Sequence, residues 1–136
     1  MNRIHHIGVY VPCLETVKSF FTEYFGAVAG RLYHNPNTGL NTYFLTFGDG
    51  SQLELLNRPD IVPNLCAAPF HLAVSVGSKG EVDRVTDVLA KKGYRVMSGP
   101  RLTGDGYYES VISGPESMNA SITTSSASSK ALMMAA

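Results

Sequence analysis

The order of apolar and polar positions divides the chain into two similar halves. "RIHHIGVYV" at 3–11 alternates loosely and is rich in β-branched and aromatic residues, which predicts a strand. Regular alternation would place His5 and His6 on opposite faces, so that only one points inward. In "LETVKSFFTEYF" at 14–25, Leu14, Val17, Phe21 and Phe25 recur at helical spacing, and Gly26 follows as a stop. Strand-like stretches come next near 27–34, 41–47 and 52–57. A tight "GDG" turn at 48–50 joins the last two.

Residues 58–69, "RPDIVPNLCAAP", hold three prolines and little periodicity, and read as a connector. The pattern then restarts. "FHLAVSV" at 70–76 is a strand. Ser78 and Glu81 form a capping box ahead of a helix whose stripe is Val82, Val85 and Leu89, with Gly93 at its stop. "YRVMSGP", "GYYESVIS" and "NASITT" are strands, the last two joined by a "GPES" turn at 114–117. Each half therefore reads strand, helix, strand, strand, strand. This is the kind of internal repeat that decides a fold. The reading is α+β: two βαβββ modules, 3–57 and 70–124, in one domain spanning 1–124. Residues 125–136, Ser/Ala-rich and patternless, are expected to be a disordered tail.

Composition narrows the function classes. Eleven basic and eleven acidic residues cancel, which leaves no electrostatic footprint for nucleic acid or an anionic membrane. The apolar runs are strand-sized, too short to span a bilayer, and the start has no signal-peptide pattern, so a cytoplasmic protein is expected. Cys13 and Cys66 lack CxxC spacing and are expected to be reduced, buried and inert. The "GDG" and "TGDG" stretches lack the Lys-Ser/Thr ending and following helix of a phosphate loop.

Superimposing the halves brings candidate chemistry together. His6 falls on His71, and Glu54 on the closing strand falls on Ser121, allowing for the longer second turn. Three of these four equivalent positions carry metal-ligand side chains. Imidazole nitrogen and carboxylate oxygen suit a divalent Zn, Ni, Co, Mn or Fe ion. A lone His on a strand is usually a packing residue, and a Glu in "LELL" usually faces solvent. Their joint occurrence at repeat-equivalent positions favours a metal site. Two His and one carboxylate leave coordination positions open, as catalytic sites do.

The stretches "HHIGVYVPCLETVKSFFTEYFGA", "YFLTFGDGSQLELL", "FHLAVSVGSKGEVDRVTDVLAKKGYRV" and "SGPRLTGDGYYESVISGPE" resemble the vicinal oxygen chelate superfamily. It holds glyoxalase I, fosfomycin- and bleomycin-resistance proteins, methylmalonyl-CoA epimerase and extradiol dioxygenases. The resemblance covers residues 4 to about 116. It implies a curled mixed sheet around a cavity, a homodimer, and a divalent metal on His6, Glu54 and His71, with Glu54 as the catalytic carboxylate. The superfamily's closing stretch ends in a further Glu ligand; here "GPESMNASI" puts Ser121 in that place, a degenerate ligand position. The departure after Glu116 reads either as natural or as a shifted reading frame in the gene.

If the resemblance holds, the segment 101–110 lies at the cavity mouth. Arg101, Tyr108, Ser110 and Asn41 are then candidate substrate contacts. Tyr108 and Ser110 share one strand face, and Tyr107, Glu109 and Val111 share the other. Glu109 is a substitute carboxylate only by composition. The leading expectation is lyase or isomerase chemistry on a small oxygen-chelating substrate. The alternatives are a non-catalytic antibiotic-sequestering protein and an extradiol-type oxygenase.

Overall fold

A computed structural model describes residues 1–63 and 71–126. The chain divides into two compact units, Met1–Ala68 and Pro69–Ala136.

The first unit opens with β1 (Ile7–Tyr10) and α1 (Leu14–Phe25). The short strands β2 (Val28–Ala29) and β3 (Tyr33–His34) follow, then the hairpin of β4 (Asn41–Thr46) and β5 (Gln52–Asn57). The sheet order is β1-β5-β4-β2, with β3 also on β4. β1 runs parallel to β5, whereas β4 and β5 are antiparallel. α1 has the predicted bounds. It buries Val17, Phe20 and Phe21 and leaves Leu14 and Phe25 half-buried. Its packing partners are the alternate residues Tyr43, Leu45, Leu53 and Leu55, all core residues. Gly26 closes α1 in the left-handed region at φ 67°, and the next amide, of Ala27, donates to Phe21 O. In the "GDG" turn, Gly50 has φ 90° and its amide donates to Phe47 O.

The second unit repeats this order, with one strand where the first has the two short pieces β2 and β3: β6 (Leu72–Ser75), α2 (Lys79–Lys91), β7 (Arg95–Leu102), β8 (Tyr108–Ser113) and β9 (Asn119–Thr123). Its sheet order is β6-β9-β8-β7, with β6 parallel to β9. Ser78 caps α2 by accepting the Glu81 amide. The other half of the expected box is absent, because the Glu81 carboxylate takes Arg84 in three hydrogen bonds instead. Val82, Val85 and Leu89 are buried, as their spacing predicts. A single 3₁₀ turn, Pro115–Ser117, replaces the plain hairpin turn, with Glu116 at φ 59°. Beyond it Ala120 and Ile122 enter the core, so the chain after Glu116 still supplies the closing strand.

Cys13 departs from expectation. It is exposed at the start of α1, its sulfur accepting from Thr16 Oγ1, because the N-cap position lies off the apolar stripe. Cys66, the connector from 64 onward and the tail from 127 onward lie outside the described residues. Ser125, at the start of the expected tail, sits 2.8 Å from Ser75 Oγ. Among the described residues no helix is long and apolar enough to cross a membrane.

Candidate metal site

In the first unit the sheet has a helix-covered face and an opposite face, and the candidate chemistry lies on the opposite one. Glu54 alternates with Leu53 and Leu55, so it points away from α1. Its neighbours across the ladders are Gly8 on β1 and Phe44 on β4. His6, just before β1, shares that face. Its Nε2 lies 3.6 Å from Glu54 Oε1, and its ring stands edge-to-face on Phe44 at 5.0 Å.

Gly8 lies beside the Glu54 carboxylate and the Leu56 side chain. A Cβ at Gly8 would lie 3.0 Å from Leu56 Cδ1 and 3.6 Å from Glu54 Oε1. The missing side chain therefore leaves room for Leu56 Cδ1, while the Glu54 carboxylate lies beside it at ordinary contact distance.

His5 and His6 do not diverge as strand alternation predicts. Both precede the ladder, so the two-residue period does not constrain them. Their rings meet edge-to-face at 5.1 Å with the two Nδ1 atoms 2.8 Å apart. The contact on Nδ1 leaves Nε2 as the His6 atom presented to Glu54.

The donor set suits a divalent ion. Two ligand atoms each about 2.1 Å from one ion at a tetrahedral angle lie about 3.4 Å apart. The His6–Glu54 separation of 3.6 Å is close to that. Glu54 is half-buried and His6 more open, so solvent reaches the pair. Among the described residues, no group of three His, Cys, Asp or Glu side chains stands ready around one point.

In the second unit, His71 precedes β6 as His6 precedes β1, and it is exposed. The strand registers make the repeat concrete. Gly8 pairs with Glu54, and Ala73 pairs with Ser121, each two residues after its His. Ser121 therefore occupies the ladder position of Glu54, and it is 3 % exposed.

The four candidate substrate contacts are placed differently. Tyr108 and Ser110 do share one strand face, but that face carries α2. The Tyr108 hydroxyl donates to Asp83 Oδ1 at 2.6 Å, which pushes the phenol pKa up, and Lys79 Nζ lies over its ring. Ser110 is fully buried, 2.7 Å from Thr86 Oγ1. Ser121 is on the opposite face, with Val111 and Glu109 in the paired strand. Asn41 shares the face of Tyr43 and Leu45, away from the Glu54 face, and binds the His34 ring and Gly39 O. Arg101 is exposed on β7 and donates to Ser98 Oγ. Within its own unit, each of these four is thus engaged in local structure. Sequence reasoning missed Gly8 and Phe44 as site neighbours. The hairpin turn at 48–50 was the signal for Phe44, since it sets which β4 residue faces Glu54.

The sequence profile of the glyoxalase/bleomycin resistance protein/dioxygenase superfamily matches residues 3–120. The chain belongs to this superfamily. A curated relative, the uncharacterized protein YqjT of Bacillus subtilis, is 28 % identical over 123 residues, covering 83 % of this chain and 91 % of its own. Glyoxalase I from Zea mays aligns with a TM-score of 0.73 at 20 % identity, over 90 % of this chain and 44 % of that one. The fosfomycin resistance protein FosX from Listeria monocytogenes, complexed with Mn(II) and sulfate ion, aligns with a TM-score of 0.70 at 14 % identity. That alignment covers 93 % of this chain and 94 % of FosX. At these identities the two structures establish a shared fold, the glyoxalase-like α+β arrangement of βαβββ modules.

Proposed function

We propose that this protein binds a divalent metal through His6, Glu54 and His71 and performs lyase- or isomerase-type chemistry on a small oxygen-chelating substrate. The observation that carries the reading is the approach of His6 Nε2 to Glu54 Oε1 on the helix-free face, at a separation suited to one ion. His71 joins the set by repeat equivalence, since Ala73–Ser121 copies the pairing of Gly8–Glu54. The metal in FosX, a protein of the same fold, adds support.

When bound, the ion would supply Lewis-acid polarisation to a pair of vicinal substrate oxygens. The chain's own part is proton transfer. The Glu54 carboxylate takes a proton from the carbon beside the polarised carbonyl and returns it to the neighbouring carbon. Phe44 packs edge-to-face against the His6 ring and helps hold its orientation. With Ser121 in the place of a second carboxylate, Glu54 has to both bind and shuttle. A homodimer acting in the cytoplasm completes the proposal.

Ser121 also favours a second reading, a small-molecule-sequestering protein of the bleomycin-resistance kind. A hydroxyl at that position contributes neither a strong ligand nor a base. Metal content of the purified protein separates the two. Near-stoichiometric metal that disappears in a His6→Ala, His71→Ala double variant is expected for the metal reading. Absence of metal from both proteins, even after reconstitution, would overturn it in favour of sequestration. Given metal, Glu54→Gln should remove turnover of α-keto aldehyde–thiol adducts.

A further inference from the structure

We propose that His5 is a positioning residue that sets which nitrogen of His6 carries the proton, and thereby prepares His6 Nε2 for a metal ion. This rests on the metal reading of His6 and Glu54. The two Nδ1 atoms lie 2.8 Å apart, which is hydrogen-bond distance. One of them must then carry a hydrogen and the other a lone pair. Glu54 Oε1 faces His6 from β5, and Phe44 faces it from β4 without a charge.

The two occupancy states demand opposite proton arrangements. Without metal, a lone pair on Nε2 would face the Glu54 carboxylate, so the proton belongs on Nε2. His6 Nδ1 then accepts, and His5 Nδ1–H donates. With metal on Nε2, the His6 proton must sit on Nδ1, where it needs an acceptor. His5 becomes that acceptor. In the exchange, His6 releases its Nε2 proton to water and the shared proton crosses from His5 Nδ1 to His6 Nδ1. His5 then takes a proton from water on its own Nε2. The count balances, and the imidazole pair keeps its charge. A carboxylate or a backbone carbonyl only accepts, and would serve one state of the pair alone. Imidazole serves both, because each ring nitrogen is donor or acceptor according to tautomer.

A ligand's outer partner is commonly worth 10- to 100-fold in metal affinity, about tenfold for a pair as exposed as this one. Two substitutions isolate the nitrogen. His5→Phe keeps the edge-to-face ring contact and removes the hydrogen bond. His5→Asn restores a group that donates or accepts when its amide turns over. Zinc titration by calorimetry should show affinity about tenfold weaker in His5→Phe and within about threefold of wild type in His5→Asn. Nitrogen-15 spectra of the histidine rings, recorded above the ordinary imidazole titration range, supply a readout independent of turnover. In metal-free wild type, His6 should be held as the Nε2–H tautomer and His5 as Nδ1–H, and zinc should reverse both. In His5→Phe, His6 should show a mixture of tautomers.

Unchanged zinc affinity in His5→Phe together with an unchanged His6 tautomer would overturn the proposal. If wild type binds no zinc, the metal reading fails, and the metal-free spectra still decide. A single His6 tautomer that becomes mixed in His5→Phe sustains the positioning role. The same mixture in both proteins refutes it.

Discussion

Gly8 opposite Glu54 and Ala73 opposite Ser121 are one cross-strand pair written twice, with the sizes exchanged. Where the carboxylate is kept, the facing residue has no side chain; where the facing residue gains a methyl, the carboxylate has become a hydroxyl. Ser121→Glu alone should therefore destabilise the metal-free protein by about 3 kcal/mol, since the position is buried and the charge unpaired. Adding Ala73→Gly should return part of that loss, and zinc more of it; urea unfolding with and without zinc measures both. The Thr86–Ser110 pair makes a separate residue-scale prediction. Thr86→Val leaves the buried Ser110 hydroxyl without its partner and should cost about 1–3 kcal/mol. Ser110→Ala in the same protein should recover much of this, and a double-mutant cycle reads the difference. The faces shared by Tyr108 and Ser110 were legible from strand alternation, but which face α2 would cover was not. Alternation orders residues by side without saying which side is buried.

At the scale of elements, the helices were legible almost residue by residue, because amphipathic spacing and end signals are local. Capping chemistry was only half legible. Ser78 caps α2 as its position implies, while Glu81 turns to Arg84, a partner one helical turn onward that competes for the same carboxylate. The carboxylate is held below its ordinary pKa first by the Arg84 hydrogen bonds, and it sits at the surface. Ser78→Ala should thus lower stability by about 1 kcal/mol, and Glu81→Ala by much less. Thermal unfolding of the two variants tests this, and equal losses would restore the full capping box. Gly26→Ala should cost about 1 kcal/mol, because φ 67° burdens any residue with a Cβ. The opening strands were less legible. β1 is only four residues long, and the histidines before it escape strand alternation, which is why their mutual contact could not be foreseen.

At the scale of the whole molecule, a ligand that binds only the folded chain raises its stability by mass action. Zinc or manganese at a hundred times its dissociation constant should add about 2.7 kcal/mol, a rise of about 10 °C in melting temperature. His6→Ala should abolish that rise; an equal rise in the variant would place the metal elsewhere. By itself the sequence determined the order of elements, the twofold repeat and the equivalence of His6 with His71 and of Glu54 with Ser121. These follow from periodicity, turn residues and spacing, all local along the chain. Only the tertiary structure decided which sheet face each helix covers, that Gly8 makes room for Leu56 beside Glu54, and that His5 meets His6. Those depend on strand register and side-chain volume across β1, β5 and β4, where atoms close in space are far apart in the chain.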